Sequence, residues 1–244
     1  MKLNEKVAEV LESGIEPIVL KYETARFFDD SPSVVRSHLW VNSLDIGTLE
    51  YSQYRFVASR SKQADQLVAV HASKLMRALT RSIDSLGKVS CYTIPVYARN
   101  LREGLLSKIL ADCFNRFPKV PPELICIEIS ADILYEDIEW IGKEIDKLRN
   151  MGVKIALNEV GDEFCPIFRL SSVNFDYAIL DPETTRLALS DKAESTVKWL
   201  VEYLHSKGAR VIATDFESEE AINAVCDLDC DGYTAQMSDS VEVI

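Results

Sequence analysis

Four short apolar runs constrain this chain more than any other feature. LICIEIS (124–130), VKIALN (153–158), DYAILD (176–181) and RVIATD (210–215) are each closed by a polar side chain, with helix-like sequence between most of them. Runs of this kind suit parallel strands buried on both faces, and parallel neighbours need a long crossover between them. A ring of such strands with polar C-terminal ends is how a (β/α) barrel builds a site. The pattern therefore predicts an α/β fold, a single (β/α)8 TIM-like barrel. The length of 244 residues agrees with the ~250 that one such barrel uses. The first run holds a single acid, Glu128, near its end. A carboxylate in that setting is costly unless it is paired or holds a metal.

Around these runs the chain alternates in the same way. A leading helix is expected within residues 1–14, then a strand EPIVLKY (16–22), a polar connection ETARFFDDSPS (23–33) and a second strand VVRSHLWVNSL (34–44) with a turn at Asp45–Gly47. Phe27 and Phe28 are expected to fold back onto the core. From 51 to 85 the period turns helical, with Leu67, Val70, His71, Leu75 and Leu79 on one stripe. His71, on that stripe, reads as a buried, hydrogen-bonded histidine rather than a ligand. VSCYTIPV (89–96) is a third strand, with Pro95 near its end, where a missing N–H does least harm. Helices are expected near 101–116, from the spacing of Ile138, Ile141, Ile145 and Leu148, from that of Val197, Leu200, Val201 and Leu204, and around 218–228. Gly152 and Gly208 stand in helix C-cap places. EVGDEFCPIFRLSS (159–172) is expected to be irregular, and a last strand is expected near 230–235. With no linker or low-complexity tract, residues 1–244 are expected to form one domain.

Composition excludes several classes. A formal charge of −12 argues against a DNA or RNA partner, which needs a Lys/Arg-rich face. No apolar run is long enough to span a bilayer, and MKLNEKVAEVLESG lacks the apolar core of a signal peptide. The six cysteines form no C-x-x-C and read as reduced core thiols, so a cytoplasmic setting is expected. Cys226 and Cys230 could share a helix face, but no histidine or second cysteine pair completes a zinc set. There is no G-x-S-x-G, P-loop, G-x-G-x-x-G or H-E-x-x-H.

GVKIALNEVG (152–161) followed by VNFDYAILD (173–181) resembles the signature of EAL domains, the cyclic di-GMP phosphodiesterases, which runs G-x-x-I-A-L-D-D-F-G-T-G and then D-x-x-K-I-D. LICIEIS is similar to their E-[LI]-T-E strand, ARVIATDFES (209–218) to V-I-A-E-G-V-E-T, and PIVLKY (17–22) to their entry strand. The resemblance implies an EAL-type barrel and, in active members, two Mg2+ or Mn2+ ions held by strand-end carboxylates and an Asn. Those ions activate the water that attacks a phosphodiester. Carried over residue by residue, most of that set is lost. The Glu of the E-A-L signature falls at Arg36 or Ser37, its Arg near Trp40, and the Asn ligand at Pro95. Glu128 survives, while the T-E that follows in the family is Ser130–Ala131. The paired aspartates are Asn158 and Glu159, the lysine is Ile179, and the Glu of A-E-G-V-E is Thr214, with the later Glu kept as Glu217. The family's glutamine falls near Asp231 or Thr234.

These changes carry an expectation. Arg36 puts positive charge where a dication would sit, Asn158 removes negative charge, and Ile179 removes the ammonium that positions water. No catalytic residue and no bound metal is therefore expected, Glu128 and Glu159 being remnant ligands. Glu128, Asn158, Glu159, Asp181 and Glu217 are the candidate ligand contacts. Asp162, Glu163, Asp215 and Glu217 are the acids from which a metal site could be rebuilt, their other reading being solvated loop acids. Glu128 itself reads as paired with Arg36 or capping backbone, and His38 is the histidine expected to face the site. The resemblance implies a regulatory, non-catalytic module with an unidentified protein partner. The alternatives are a non-hydrolysing cyclic di-GMP receptor and a residual metal-dependent hydrolase, and the resemblance also allows a homodimer.

Overall fold

In a computed structural model that describes residues 18–43, 47–60, 64–163, 165–188, 194–214 and 219–238, the apolar runs become strands of one closed sheet. The strands are β1 (Ile18–Phe27), β2 (Ser33–Ser43), β3 (Gly47–Leu49), β4 (Val89–Val96), β5 (Ile125–Ser130), β6 (Lys154–Val160), β7 (Tyr177–Leu180), β8 (Arg210–Ala213) and β9 (Gly232–Ser238). Their order is β1-β9-β8-β7-β6-β5-β4-β2-β3, and β1 also pairs with β2. That pairing closes an eight-stranded barrel in which β1 runs antiparallel to both neighbours, with β3 a short strand on the flank of β2.

The helices wrap the outside: α1 (Tyr51–Arg60) and α2 (Ala64–Ser82) before β4, then α3 (Ala98–Leu101) and α4 (Leu105–Arg116) before β5. α5 (Ile138–Asn150) precedes β6, α6 (Pro182–Ala188) and α7 (Glu194–Ser206) follow β7, and α8 (Glu219–Asp227) precedes β9. No described helix is long and apolar enough to cross a membrane.

Several expectations are corrected. The stretch from Glu23 to Phe27 continues β1, because Tyr22, Ala25 and Phe27 are buried and the polar residues between them leave pairing intact. Phe27 does fold inward, but Phe28 is exposed and leans on Tyr233. Val68, not Val70, completes the buried stripe of α2. The helix expected near 101–116 is two helices joined by a 3-10 turn at Gly104, whose φ of 68° takes the chain into the left-handed region. β6 runs on to Val160, β9 lies at Gly232–Ser238, and α6 and β3 were unforeseen. Cys226 is exposed and Cys230 lies beyond the end of α8, although the other described thiols are buried and free. The leading helix in 1–14 and the turn at 45–46 fall outside the described residues.

Inside the barrel, alternation sorts side chains into layers. Ala25, Phe27, Val34, Cys91, Cys126, Ala156, Tyr177, Ile179 and Ile212 form an apolar plug. One inward step further along the parallel strands are Arg36, Thr93, Glu128, Asn158 and Thr214. The antiparallel β1 brings Glu23 to the same level by running the other way. Strand direction alone thus gathers the polar side chains at the C-terminal face.

Candidate functional site

A single guanidinium holds the centre of this polar layer. Arg36 Nη2 and Nε donate to Glu128 Oε1 and Oε2 at 2.7 and 3.1 Å, and Nη1 donates to Glu23 Oε2 at 2.9 Å. Thr93 Oγ1 donates to Glu128 Oε2 at 2.8 Å. Glu128 is 2% exposed and Arg36 8% exposed, so the pairing is made out of water, where its Coulomb attraction is strong. Burial pushes the Glu128 carboxyl up, but Arg36, then His38 and Thr93, more than offset this and hold it below the usual carboxylate range. Burial likewise acts against Glu23, and Arg36 with His38 lowers it to about 2. The two acids raise the Arg36 guanidinium against the effect of its own burial. His38 Nε2 lies 3.5 Å from Glu23 Oε2, too long to satisfy it, and has no better partner among the described residues.

On the opposite face of β2, Ser37 Oγ donates to the Thr93 carbonyl and stands 2.7 Å from His71 Nε2. Its one proton being used, Ser37 accepts from His71, which is therefore the neutral Nε2–H form. Burial, with His38 nearby, pulls His71 down to about 3. The expected buried, hydrogen-bonded histidine is found.

A second carboxylate system lies at the end of β6. Glu159 adopts a φ of 61°, uncommon for a residue with a side chain. Its carboxylate is held by Arg55 of α1 and by Ser130 Oγ of β5. Beside it opens a cavity of about 690 Å3, lined among others by Tyr51, Tyr97, Tyr135, Arg55, Arg99 and Arg102. Arg99 and Arg102 are paired with Asp65 and Glu136 at 3.4 and 3.0 Å. The lining also holds Asp132, Glu136, Glu159 and Asp162, so its aromatic rings can stack on a flat molecule while its three guanidinium groups are already paired with carboxylates.

The other foreseen positions divide. Pro95 is buried in β4 opposite Glu128, and half-buried Asn158 stands opposite Ser130. Ile179 belongs to the apolar plug below. Thr214 Oγ1 donates to the Leu180 carbonyl at 2.9 Å, tying two strand ends together. Asp181 stands one inward step beyond Ile179, and its Oδ1 accepts from Glu183 N at 2.8 Å, capping α6. Asp162 reaches the cavity wall, and Glu163 is exposed. Trp40 lies under Lys21 Nζ, 5.3 Å from the ring centroid. Asp215 and Glu217 fall outside the described residues. Sequence reasoning missed Glu23 and Arg55. Glu23 is two residues from Ala25 on the inward side of β1, a signal that the polar composition of residues 23–33 conceals; Arg55 carries no local signal.

These residues do not fit a pair of dications as they stand. Both oxygens of Glu128 face a guanidinium, Pro95 offers no donor, and Glu159 faces another guanidinium. Among the described residues no three His, Cys, Asp or Glu side chains converge as metal ligands.

The comparisons agree with this architecture. The family model for the EAL domain matches residues 55–234. A cyclic di-GMP phosphodiesterase, PdeA of Borreliella burgdorferi, is 23% identical over 152 residues, covering 62% of this chain and 22% of the relative, so the chain spans about a fifth of that protein. The PaMucR phosphodiesterase in its c-di-GMP complex superposes with a TM-score of 0.83 at 15% identity, covering 94% of each chain. The FimX EAL domain from Pseudomonas aeruginosa bound to c-di-GMP superposes with 0.83 at 13% identity, covering 98% of each. At such identities these two establish the barrel fold.

Proposed function

The chain belongs to the EAL domain family, and we propose that it is a non-hydrolysing member acting as a regulatory or protein-interaction module in bacterial cyclic di-GMP-type signalling. One observation carries this reading: both oxygens of Glu128, the best-kept acid of the strand ends, are engaged by Arg36. A carboxylate so engaged, with its pKa lowered, offers no lone pair aimed at a dication and is a poor general base. Without a metal-activated water, attack on a phosphodiester loses several kcal/mol of charge stabilisation, which is orders of magnitude in rate. The test is incubation of the purified protein with cyclic di-GMP and Mn2+. We expect no linear product above a protein-free control; turnover on the order of 1 s−1, ordinary for an enzyme, would overturn the reading.

A second reading, a receptor that binds cyclic di-GMP without cleaving it, is favoured by the cavity beside Glu159, with its tyrosines and arginines. PaMucR and FimX are both known as c-di-GMP complexes. Calorimetry with cyclic di-GMP separates the two readings: micromolar binding supports the receptor, and no heat at ligand concentrations near millimolar supports a purely protein-directed module.

A further inference from the structure

The ends of α5 and α7 are built alike, and each sends one basic side chain to an aspartate below the barrel. Gly152 and Gly208 take φ values of 90° and 80°, and the next amides, Val153 N and Ala209 N, donate back to the Leu148 and Leu204 carbonyls. Arg149 then reaches Asp176 at 3.1 Å, and His205, its counterpart one unit later, reaches Asp231 at 2.8 Å. Each aspartate also accepts an amide at the start of a strand, Ile155 N at 2.8 Å and Val211 N at 2.7 Å. The end of α8 repeats the turn, with Asp229 at a φ of 60° and Cys230 N donating to the Val225 carbonyl. There the counterpart of Arg149 and His205 is Cys226, a short and exposed side chain with a free thiol. Where a basic side chain would lie there is a cavity of about 460 Å3, bounded by Phe28, Asp29, Glu202, Asp229 and Asp231 besides Cys226.

We propose that this cavity binds an organic cation, a guanidinium or primary ammonium compound, in the third of three like places of which Arg149 and His205 fill the first two. Four carboxylates line it against one permanent cation, Arg210, which lies 3.0 Å from Asp29 and 3.7 Å from Asp231. Glu202 has no ion pair among the described residues, and Asp229 has Lys198 at 3.7 Å. The Cys230 thiol also lines the cavity, is 5% exposed and has no hydrogen-bond partner among the described residues. Burial, then Asp231 and Asp229, push that thiol up to about 12, so the field there disfavours an anion. Phe28 adds an aromatic ring to the wall, and a ring face attracts a cation. Among the described residues no three His, Cys, Asp or Glu side chains are grouped as metal ligands, which leaves an organic cation as the fitting occupant. The cavity lies at the N-terminal ends of the parallel strands, away from the layer around Arg36, so what it binds is independent of what that face binds.

The test is calorimetry of the natural chain with agmatine, putrescine, a blocked Gly-Arg-Gly peptide and the neutral analogue N-butylurea, at matched ionic strength. Agmatine is expected to bind with a Kd below about 1 mM and N-butylurea not to bind. Tighter binding of agmatine or putrescine assigns a free compound as the source of the cation, and tighter binding of the peptide assigns an arginine side chain of a partner; both support the site. Alkylation of Cys226 by iodoacetamide, followed by mass spectrometry, is expected to slow about tenfold at an agmatine concentration about ten times Kd. Glu202→Gln/Asp229→Asn is expected to raise Kd about tenfold. Cys226→Arg, which supplies the side chain of the first unit, is expected to abolish binding, and Cys226→Ala to keep it. All three variants change exposed side chains, and circular dichroism checks that each is folded. No binding of any cation, or N-butylurea bound as tightly as agmatine, overturns the proposal. So does a Kd unmoved in Glu202→Gln/Asp229→Asn, binding kept in Cys226→Arg, or binding lost in Cys226→Ala.

Discussion

Arg36 and Glu128 illustrate how little a residue's identity says until its partner is known. A strand-end glutamate within an apolar run reads as a metal ligand or a buried ion pair, and the arginine 92 positions earlier decides between them. Removing one member of a buried pair costs about 3–5 kcal/mol, because the other is left charged and unsatisfied. Glu128→Gln is therefore expected to destabilise the fold by roughly 3 kcal/mol in urea titration, the lower end, since Arg36 keeps Glu23. The half-buried Arg55–Glu159 pair sets the contrast: Glu159→Gln is expected to cost about 1 kcal/mol or less. Equal costs would deny the central pair its importance.

Titration separates His71 from the two acids that face Arg36. His71 is held near 3 against an ordinary 6.5, so between these values the unfolded chain binds the proton and the folded one does not. Stability is thus lost as pH falls from 6.5 towards 3, by about 1.4 kcal/mol between pH 7.5 and 5.5 from this group. Glu23 and Glu128 are both lowered, so their contribution is full above 4.5 and fades below it, that of Glu23 as pH falls towards 2. Melting of His71→Gln at pH 7.5 and 5.5 should show a smaller difference than the natural chain; an unchanged difference would assign the slope elsewhere.

At the scale of elements, the strands with unbroken apolar runs were legible because both their faces are buried, and VSCYTIPV matches β4 to the residue. The second half of β1 was not, because an antiparallel strand at the seam puts Glu23 and Arg26 among its apolar residues, and polar alternation reads as a connection. The same alternation conceals Glu23, and with it the second half of the Arg36 pairing. Arg55 was illegible for another reason, since α1 is aimed at β6 only by tertiary packing. The seam itself depends on a residue without a side chain. A Cβ on Gly232 would stand 2.3 Å from the Arg26 carbonyl oxygen, where β9 pairs with β1. Gly232→Ala is expected to cost about 1–3 kcal/mol by forcing these strands apart. The effect should be confined to stability, with the urea midpoint lowered and the m-value unchanged. A neutral Gly232→Ala would mean that the strands separate without loss.

The whole molecule adds a constraint that no single element carries. The first described strand, β1, lies between β2 and the last strand, β9, so the ring closes only when both ends of the described chain are in place. A barrel of this kind has no internal boundary at which half of it keeps a closed sheet, and local opening at one seam exposes the polar layer around Arg36 to water. One cooperative unfolding transition is therefore expected for the chain. The three tryptophans are suitably spread to check it, with Trp40 in β2, Trp140 in α5 and Trp199 in α7. Variants that keep one tryptophan each, the others changed to phenylalanine, should give urea midpoints that differ only by each variant's own stability. In each, the fluorescence transition should coincide with that of far-ultraviolet circular dichroism. A Trp199 signal that melts well before the circular dichroism would mean that the β7–β9 side opens as a separate unit. In that case the ion pair across β2 and β5 holds only its own side of the barrel.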